Sequence, residues 1–454
     1  MQQINQANQQ AIVANLISGF KTSGLPRRLL YTLGIIALFR FGAHLPIFGI
    51  NHEVLNAIMS GGSLGMVDFL DMFTGGALKK ISIFALGIGP YITSSIIMQL
   101  LAVIIPYLER LQKEEGEAGR RKIQQITRYG TLLLAFFQSF AFITVLSRQP
   151  GLIEHGINPT LFIVGSVIAM TAGSVFVMWL AELLTEKGIG NGGSLIIFVG
   201  IISGIPAYAK QTATMVLQNP ATQLPLVMLL LIFAATIVFI VIFQAAVRKV
   251  PIVSARKQVG NKVYGGQNTN IPFKLNPGGV MPIIFAVAIL LFPQTILSFV
   301  QSVHVDNMTI KVILNKVNIL LSPAYPYYYF IFFGLIVLLT FFYASIIPSL
   351  QPKEIANNLK KYGSAIPGVK PGIPTAEKLD EILTKTTFIG AMSLGIIALV
   401  PTLASKFTGI TTLQGLGATS LLIMVGVALD FINQFRTHLL AKNYESFLQQ
   451  NPPK

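Results

Sequence analysis

The feature that most constrains this chain is a series of long stretches without any charged residue. A helix needs roughly 20 apolar residues to cross the hydrocarbon core of a bilayer, a distance of about 30 Å. Each stretch is long enough for one such helix, and none shows the alternating pattern of a membrane β-strand. Nine stretches qualify: 81–108, 129–147, 155–181, 188–209, 211–247, 275–305, 317–352, 386–405 and 407–429.

A tenth span is predicted near Leu29 to Phe48, where Arg40 interrupts the apolar sequence. Charged residues make up only 11% of the chain and hydrophobic residues 53%, which excludes a set of water-soluble domains. The predicted fold class is therefore an all-α polytopic membrane protein with ten transmembrane helices.

The distribution of basic residues predicts how these spans are oriented. The first residues, Met1 to Gln10, are polar and do not resemble a signal peptide, so the amino end is expected to stay in the cytoplasm. Ten spans then place 25 Lys and Arg residues on the cytoplasmic side and 7 outside, with Arg40 within the first span. This imbalance predicts that both termini, the segment 1–28 and the tail 435–454, are cytoplasmic.

Several kinds of chemistry are excluded or unsupported by the sequence. Cysteine is absent, which rules out disulfides and thiolate catalysis, and the five His residues suggest no metal cluster. The G-x-G-x-x-G stretch at 188–193 joins two predicted spans without a preceding strand, so it is read as a tight turn rather than a dinucleotide site. No P-loop occurs. We therefore expect no enzyme activity, no cofactor and no metal.

Ionisable residues within or beside the spans are the next candidates for function. Arg40 is expected to pair inside the protein and fix helix packing. Glu182 and Glu186 lie at the inner end of the fourth span and Asp430 at the inner end of the tenth, where snorkelling or salt bridging is expected. An ion-coupled transporter would instead require paired acidic residues near the midplane of the membrane, whereas these acids lie at the inner ends of their spans.

The segment 66–77, MVDFLDMFTGGA, is too short and too polar to span the membrane. It carries Asp68 and Asp71 and leads directly into the run 81–108. Two interpretations remain open for it. One is a short re-entrant helix folded back from the outer face and enclosed by protein, and the other is an outer interfacial loop.

Three cytoplasmic segments, 109–122, 248–277 and 353–385, are large enough to reach beyond the membrane. Most of their charges are expected to orient the protein. The segment 248–277 differs, because it has six basic residues, no acid and a strand-like alternation at Lys262. It is predicted to dock something acidic: ribosomal RNA, an acidic protein face or anionic lipid headgroups.

Seven blocks of sequence then carry a family resemblance. They are TGGAL (74–78) with IFALGIGPYITSSIIMQLL (83–101), EGEAGRRKIQQITRYGTLLLAFFQS (115–139), MWLAELLTEKGIGNGGSLIIF (178–198), PGGVMPIIFAVAILLFP (277–293), NLKKYGSAIPGVKPG (358–372) and TSLLIMVGVALDF (419–431). In order and spacing they resemble the SecY family of protein-conducting channels, in its bacterial and plastid form. The resemblance runs from about Arg27 to Gln449.

The resemblance implies two pseudo-symmetric five-helix halves, 29–209 and 210–434, around an hourglass pore. It implies that the segment 66–77 is the plug that closes the outer funnel, represented by Met66, Asp68, Phe69, Asp71, Met72, Phe73, Gly75 and Gly76. It also implies a constriction ring of aliphatic side chains, in which Gly193 stands at a position that often holds Ile. The matching ring residues are Ile88, Ile92, Ile197, Ile284 and Ile423.

Two further sites follow from the same resemblance. A lateral gate between the second and seventh spans is represented by Thr93, Ser94, Ser95, Gln99, Gln138 and Phe292. A docking surface for a motor or ribosome is formed by the loops 248–277 and 351–385, with Arg256, Lys257, Lys262 and Lys370. Lys370 stands where the family usually has Arg, and the two side chains differ in bidentate recognition.

The implied function is a passive channel that passes unfolded secretory proteins and releases membrane helices into lipid. The implied partners are SecE-like and SecG-like small subunits, a SecA ATPase motor or a ribosome, signal sequences and membrane lipid, but no DNA. The location would be a bacterial plasma membrane or a thylakoid or plastid membrane. A secondary solute transporter with ten helices is the alternative, and an insertase or scaffold without a pore is a weaker one because it leaves 66–77 unexplained.

Overall fold

The structure of the chain is a computed structural model. It describes residues 24–51, 53–55, 57, 71, 73–113, 115–254, 257–259, 262–264, 268–302, 312, 316–317, 319–321, 325–347, 351–410 and 417–450.

The chain is mainly helical, as predicted, and each of the ten predicted spans overlaps at least one helix. The helices are α1 (Leu25–Gly42), α2 (Gly89–Ile104), α3 (Pro106–Lys113), α4 (Gly116–Ser147), α5 (Pro159–Lys187), α6 (Gly192–Gln218), α7 (Gln223–Ala245), α8 (Met281–Ser302), α9 (Pro326–Ile346), α10 (Pro352–Lys361), α11 (Ile373–Thr408) and α12 (Ala418–Gln450).

Six of these helices are long and apolar enough to cross a membrane within the described part of the chain. A seventh span results if α2 and α3, which meet at an angle of 106°, are counted as one broken helix. The six are α4, α5, α6, α7 (with the short 3₁₀ turn Pro220–Thr222 before it), α9 and α11.

The chain divides into two compact units. One comprises Met1–Met98, Leu111–Ala207 and Val427–Lys454, and the other comprises Gln99–Arg110 and Tyr208–Gly426. The boundary at 207/208 lies two residues from the predicted one at 209/210. Residues 99–110 and 427–434 belong to units other than the predicted halves that contain them.

Proline explains the main departure from the predicted spans. The run 81–108 is not one helix: residues 81–88 form turns, and α2 begins only at Gly89. Pro90 follows as the next residue of the helix, where a fixed φ and a missing N–H are tolerated. Pro106 opens α3 in the same way and disfavours helical geometry at Ile105, which accounts for the sharp bend.

Two other segments are more helical than expected. Most of the predicted loop 109–122 lies in α3 and in the first turns of α4. Lys210, predicted to lie in an outer loop, belongs to α6, which continues to Gln218. The helix is therefore longer than the charge-free run that marked it.

A small sheet is the main departure from an all-α fold in the described residues. Its strands follow the order β4 (Asn268–Lys274), β1 (Val247–Ser254) and β5 (Ser364–Ala365), and both pairings are antiparallel. A separate hairpin pairs β2 (Lys257–Val259) with β3 (Lys262–Tyr264). The strand predicted at Lys262 is thus confirmed. The pairing of β1 with β5 joins the two predicted docking loops.

The first unit contains a core where α4 and α5 meet the turns before α2. Gly173 on α5 permits this contact, because a Cβ there would lie 2.0 Å from the carbonyl oxygen of Ile83. Buried residues of this core include Ile81, Ala85, Ile143, Leu152 and Met170.

Candidate functional site

The described end of the predicted plug is folded onto itself. Asp71 is buried, and its carboxylate accepts hydrogen bonds from the backbone N–H of Lys79 (3.0 Å) and the hydroxyl of Thr74 (3.3 Å). The Thr74 oxygen in turn accepts from the N–H of Leu78 (3.2 Å). Burial raises the pKa of the Asp71 carboxyl, and these bonds oppose the shift. Met66, Asp68, Phe69 and Met72 lie outside the described residues.

Arg40 pairs inside the protein, as the sequence predicted. Its Nη1 donates to the carbonyl oxygen of Gly75 (2.8 Å) and to the hydroxyl of Ser203 on α6 (2.9 Å). The sequence did not identify Ser203 as a partner. The available signal was the pair Gly200 and Ser203, two small residues three apart on one helix face, a pattern that permits close packing in membranes.

Three of the five predicted ring residues belong to the first unit. Ile88 and Ile197 are buried, and Ile92 is half-buried. A Cβ built on Gly193 would lie 3.5 Å from Cδ1 of Ile88, so position 193 directly neighbours a ring residue. A side chain at this position would therefore contact Ile88 from its first carbon onward.

The other two predicted ring residues belong to the second unit. Ile284 lies in the first turn of α8 and is 6% exposed, and Ile423 lies in α12 and is fully buried. Burial of this kind fits either a packed core or a dry constriction. The assignment of the ring therefore stays a prediction.

The hydroxyls predicted for the lateral gate have different partners. Ser94 is buried and donates to the carbonyl oxygen of Thr127 on α4 (2.8 Å). Gly130 leaves room for it, since a Cβ there would lie 2.5 Å from the Ser94 oxygen. Thr93 donates instead to Gly89 within its own helix (3.1 Å). Ser94 thus contributes to packing between α2 and α4.

The remaining predicted gate residues lie on three helices. Ser95 and Gln99 belong to α2, and Gln138 lies half-buried on α4. Phe292 lies in α8, and its side chain is outside the described part of the structure. The gate, like the ring, stays a prediction.

The two predicted docking loops form one platform with its own apolar core. We call this platform the docking platform: strands β1, β4 and β5, helix α10 and the first turns of α11. Val250 and Phe273 from the strands pack with residues that follow in the second loop. The buried members from that loop are Ala356, Ile366 and Leu379.

The surface of the docking platform carries basic residues. Lys370 is exposed, and its backbone carbonyl accepts from the Thr375 hydroxyl (2.8 Å). Glu381 bridges Lys378 (2.8 Å) and Lys385 (2.6 Å) on the same helix. Lys257 and Lys262 lie in strands whose side chains are not described, and Arg256 lies outside the described residues.

Glu182 forms a salt bridge of the kind that its position at a helix end predicts. Arg128 contacts it through two nitrogens, Nε to Oε1 (3.0 Å) and Nη2 to Oε2 (2.8 Å). Gln124 donates to the same Oε1 (3.1 Å). This bidentate pair joins the amino-terminal part of α4 to the carboxyl-terminal part of α5.

Comparison with known proteins connects these residues to a family. The SecY family model matches residues 82–432. The chain belongs to the SecY family. A SecY-family relative, "Protein translocase subunit SecY" of Synechococcus elongatus, is 44% identical over 436 residues, which cover 94% of this chain and 95% of the relative.

Solved structures of SecY-family channels share the fold. One is described as "The plug domain of the SecY protein stablizes the closed state of the translocation channel and maintains a membrane seal"; its TM-score is 0.64 at 18% identity, over 94% of both chains. Another is described as "Sec61 in the Canine ribosome-channel complex from the endoplasmic reticulum", with a TM-score of 0.60 at 16% identity and the same coverage. The chain is thus an integral, multi-pass membrane protein, and a solute transporter is not favoured.

Proposed function

We propose that this SecY-family chain is the central pore-forming subunit of a Sec translocon. It passes unfolded secretory proteins across the membrane and releases transmembrane helices into lipid through a lateral gate. The observation that carries the proposal is the 44% identity to a translocase subunit over 94% of the chain. The described geometry supports it with an end of the segment 66–77 bound to Arg40 beside α6, and with a platform that carries basic residues on its surface.

The pore constriction is assigned to the side chains of Ile88, Ile92, Ile197, Ile284 and Ile423. Branched apolar side chains offer no ligand to an ion and wet poorly, so a ring of them resists leakage. They can still deform around an extended peptide. The absence of a side chain at Gly193, next to Ile88, removes one contact from this ring.

The segment 66–77 is assigned as the plug. A plug has to leave its seat when a chain enters, and polar bonds to neutral acceptors are exchanged for water more readily than apolar contacts are. The carbonyl of Gly75, bound by Arg40, is an acceptor of this kind.

The lateral gate is assigned to Thr93, Ser95, Gln99, Gln138 and Phe292, with Ser94 fixing α2 against α4. Polar groups near a lipid-facing seam lower the free energy of opening it, because water in the pore is their alternative partner. The apolar core of a signal sequence would then move into lipid, at about 0.8 kcal/mol per buried CH₂.

The docking platform is assigned as the binding surface for a SecA motor or a ribosome. We propose SecE-like and SecG-like small subunits as further partners. The energy for translocation comes from these partners or from the membrane potential, since the sequence has no P-loop. Both termini are cytoplasmic, in a bacterial plasma membrane or a thylakoid or plastid membrane.

A single cysteine tests the pore assignment, because the chain has none of its own. Ile284→Cys is reconstituted with the small subunits and SecA, and a secretory precursor is arrested midway. An adduct that requires ATP and a signal sequence is expected. Leu338→Cys is the control and should give no such adduct, because Leu338 lies on α9 and its side chain is 61% exposed. Adducts absent from Ile284→Cys, Ile88→Cys and Ile423→Cys during active translocation would refute the pore.

A further inference from the structure

Arg40 joins three separate segments of the first unit. Its helix, α1, ends two residues later at Gly42, and its guanidinium reaches the predicted plug at Gly75 and helix α6 at Ser203. The Ser203 hydroxyl also donates to the carbonyl of Gly200 on its own helix (2.7 Å), so its oxygen remains an acceptor for Arg40. Within the described residues Arg40 forms no ion pair, and both of its acceptors are neutral.

The contact between the plug end and α6 leaves no space for side chains. A Cβ on Gly75 would lie 2.6 Å from Arg40 Nη1, 2.7 Å from the Ser203 oxygen and 2.9 Å from the Cα of Gly200. A Cβ on Gly200 would lie 2.6 Å from the carbonyl oxygen of Phe73. The plug end therefore lies directly against the backbone of α6, where only glycine fits on both sides.

The backbone at this point is suited to a hinge. Gly75 and Gly76 both have positive φ angles, 69° and 89°, which glycine adopts without strain. The bonds among Asp71, Thr74 and Lys79 hold this end of the segment to itself. The bonds from Arg40, in contrast, hold it to the surrounding helices.

We infer that Arg40 is a positioning residue of the channel, which latches the carboxyl-terminal end of the plug to α1 and α6. The latch sets how often the closed plug leaves its seat. A charged donor makes each bond strong, while neutral acceptors keep the bonds exchangeable with water, as a reversible closure requires. The inference rests on the proposed assignment of 66–77 as the plug.

The test measures two properties separately: how often the plug leaves its closed position, and how well the idle channel excludes ions. Ala77 is fully buried at the end of the plug, so Ala77→Cys introduces a single, hidden thiol. The variant is reconstituted with its small subunits, without precursor or motor. The rate of thiol labelling from the outer side and the ion conductance of the idle channel are both measured.

Arg40→Gln in this background should raise the labelling rate by about tenfold, because the charge-assisted bonds to Gly75 and Ser203 are lost. Ion conductance should rise with it. Arg40→Lys should raise the labelling rate and the conductance less than Arg40→Gln does, since lysine keeps the charge but not the forked geometry. Arg27→Gln, an exposed arginine at the other end of α1, is the control and should change neither quantity.

Ser203→Ala keeps the test decisive if Arg40→Gln does not fold. It removes one of the two acceptors, so a smaller rise in both readouts is expected. Ser345→Ala, which removes an exposed hydroxyl bonded to its own helix, is its control.

The outcomes separate the latch from the plug. Labelling that stays at the rate of the control variants overturns the latch, while a rise in conductance on deleting 66–74 would leave the plug assignment standing. Faster labelling without higher conductance would show that the segment does not seal the channel. That result overturns the plug assignment and the inference built on it.

Discussion

Two glycines of this channel differ in whether the surrounding residues leave space for a side chain. Gly75 is required, because any side chain there would overlap Arg40, Ser203 and the backbone of α6. Gly193 is merely small: its Cβ would meet Ile88 at 3.5 Å and Asn191 Oδ1 at 3.3 Å, contacts that slight adjustment accommodates. A Cβ at position 193 is therefore compatible with the fold.

Gly193→Ile is predicted to tighten the idle channel. The added side chain extends over Ile88 and fills the cytoplasmic edge of the proposed ring, which reduces wetting of the constriction. We expect a lower ion conductance of the reconstituted idle channel and a slower translocation of bulky precursors. Single-channel recording and a translocation assay measure the two effects.

Gly165→Ile is the matched control for this variant. Gly165 lies exposed on α5, and a Cβ added there would have no atom within 4 Å, so the same side chain is introduced away from the ring. The control should conduct as the wild type does. Equal conductance of Gly193→Ile and Gly165→Ile would contradict the placement of Gly193 at the ring.

At the scale of single elements, α5 depends on one close approach to the turns before α2. Gly173→Ala would place a Cβ 2.0 Å from the carbonyl oxygen of Ile83 and force the turn away. Overpacking of this kind typically lowers the free energy of unfolding by about 1–3 kcal/mol. We expect a lower midpoint temperature in thermal unfolding of the detergent-solubilised protein. Gly165→Ala, on the same helix with open space around it, should unfold at the wild-type temperature or slightly above.

The docking platform is a second element that can be tested by itself. Leu379 is fully buried in its core, and Leu379→Ala should cost about 2–5 kcal/mol of local stability. We expect faster proteolysis within 353–385 and weaker binding of SecA or ribosomes, measured by co-sedimentation. Leu224→Ala, at a 66% exposed position of α7 outside the platform, should change neither. Unchanged partner binding by a proteolysis-sensitive Leu379→Ala would refute the platform as the docking surface.

Across the whole molecule, the sequence predicts well the positions of the membrane-spanning helices, because the bilayer determines their length and polarity. The spans overlap helices because a charge-free run of sufficient length has few alternatives in lipid. Their interruptions at Ile105 and before Gly89 escape such a prediction, because proline and backbone geometry override hydropathy there. The pairing of β1 with β5 escapes it as well, since the two strands are about a hundred residues apart and share no local pattern.

The candidate site is less accessible to sequence reasoning than the fold. The need for a partner of Arg40 follows from the energetics of a charge within a membrane span, but its acceptors are a carbonyl and a hydroxyl. A carbonyl carries no sequence signal, so Gly75 could not be identified as one of them. The ring and gate residues came from the family resemblance, because periodicity alone would assign every one of those isoleucines to core packing.

The orientation of the molecule in the membrane gives the last prediction. The 25-to-7 distribution of basic residues places the loop before α5 outside and the docking platform and carboxyl terminus inside. In the cysteine-free chain, an impermeant thiol reagent added to intact cells should label His155→Cys but not Glu377→Cys or Thr437→Cys. All three side chains are exposed, so all three positions should be labelled once the cells are lysed. Labelling of Thr437→Cys in intact cells would invert the topology and, with it, remove the docking platform from the compartment that holds SecA and ribosomes.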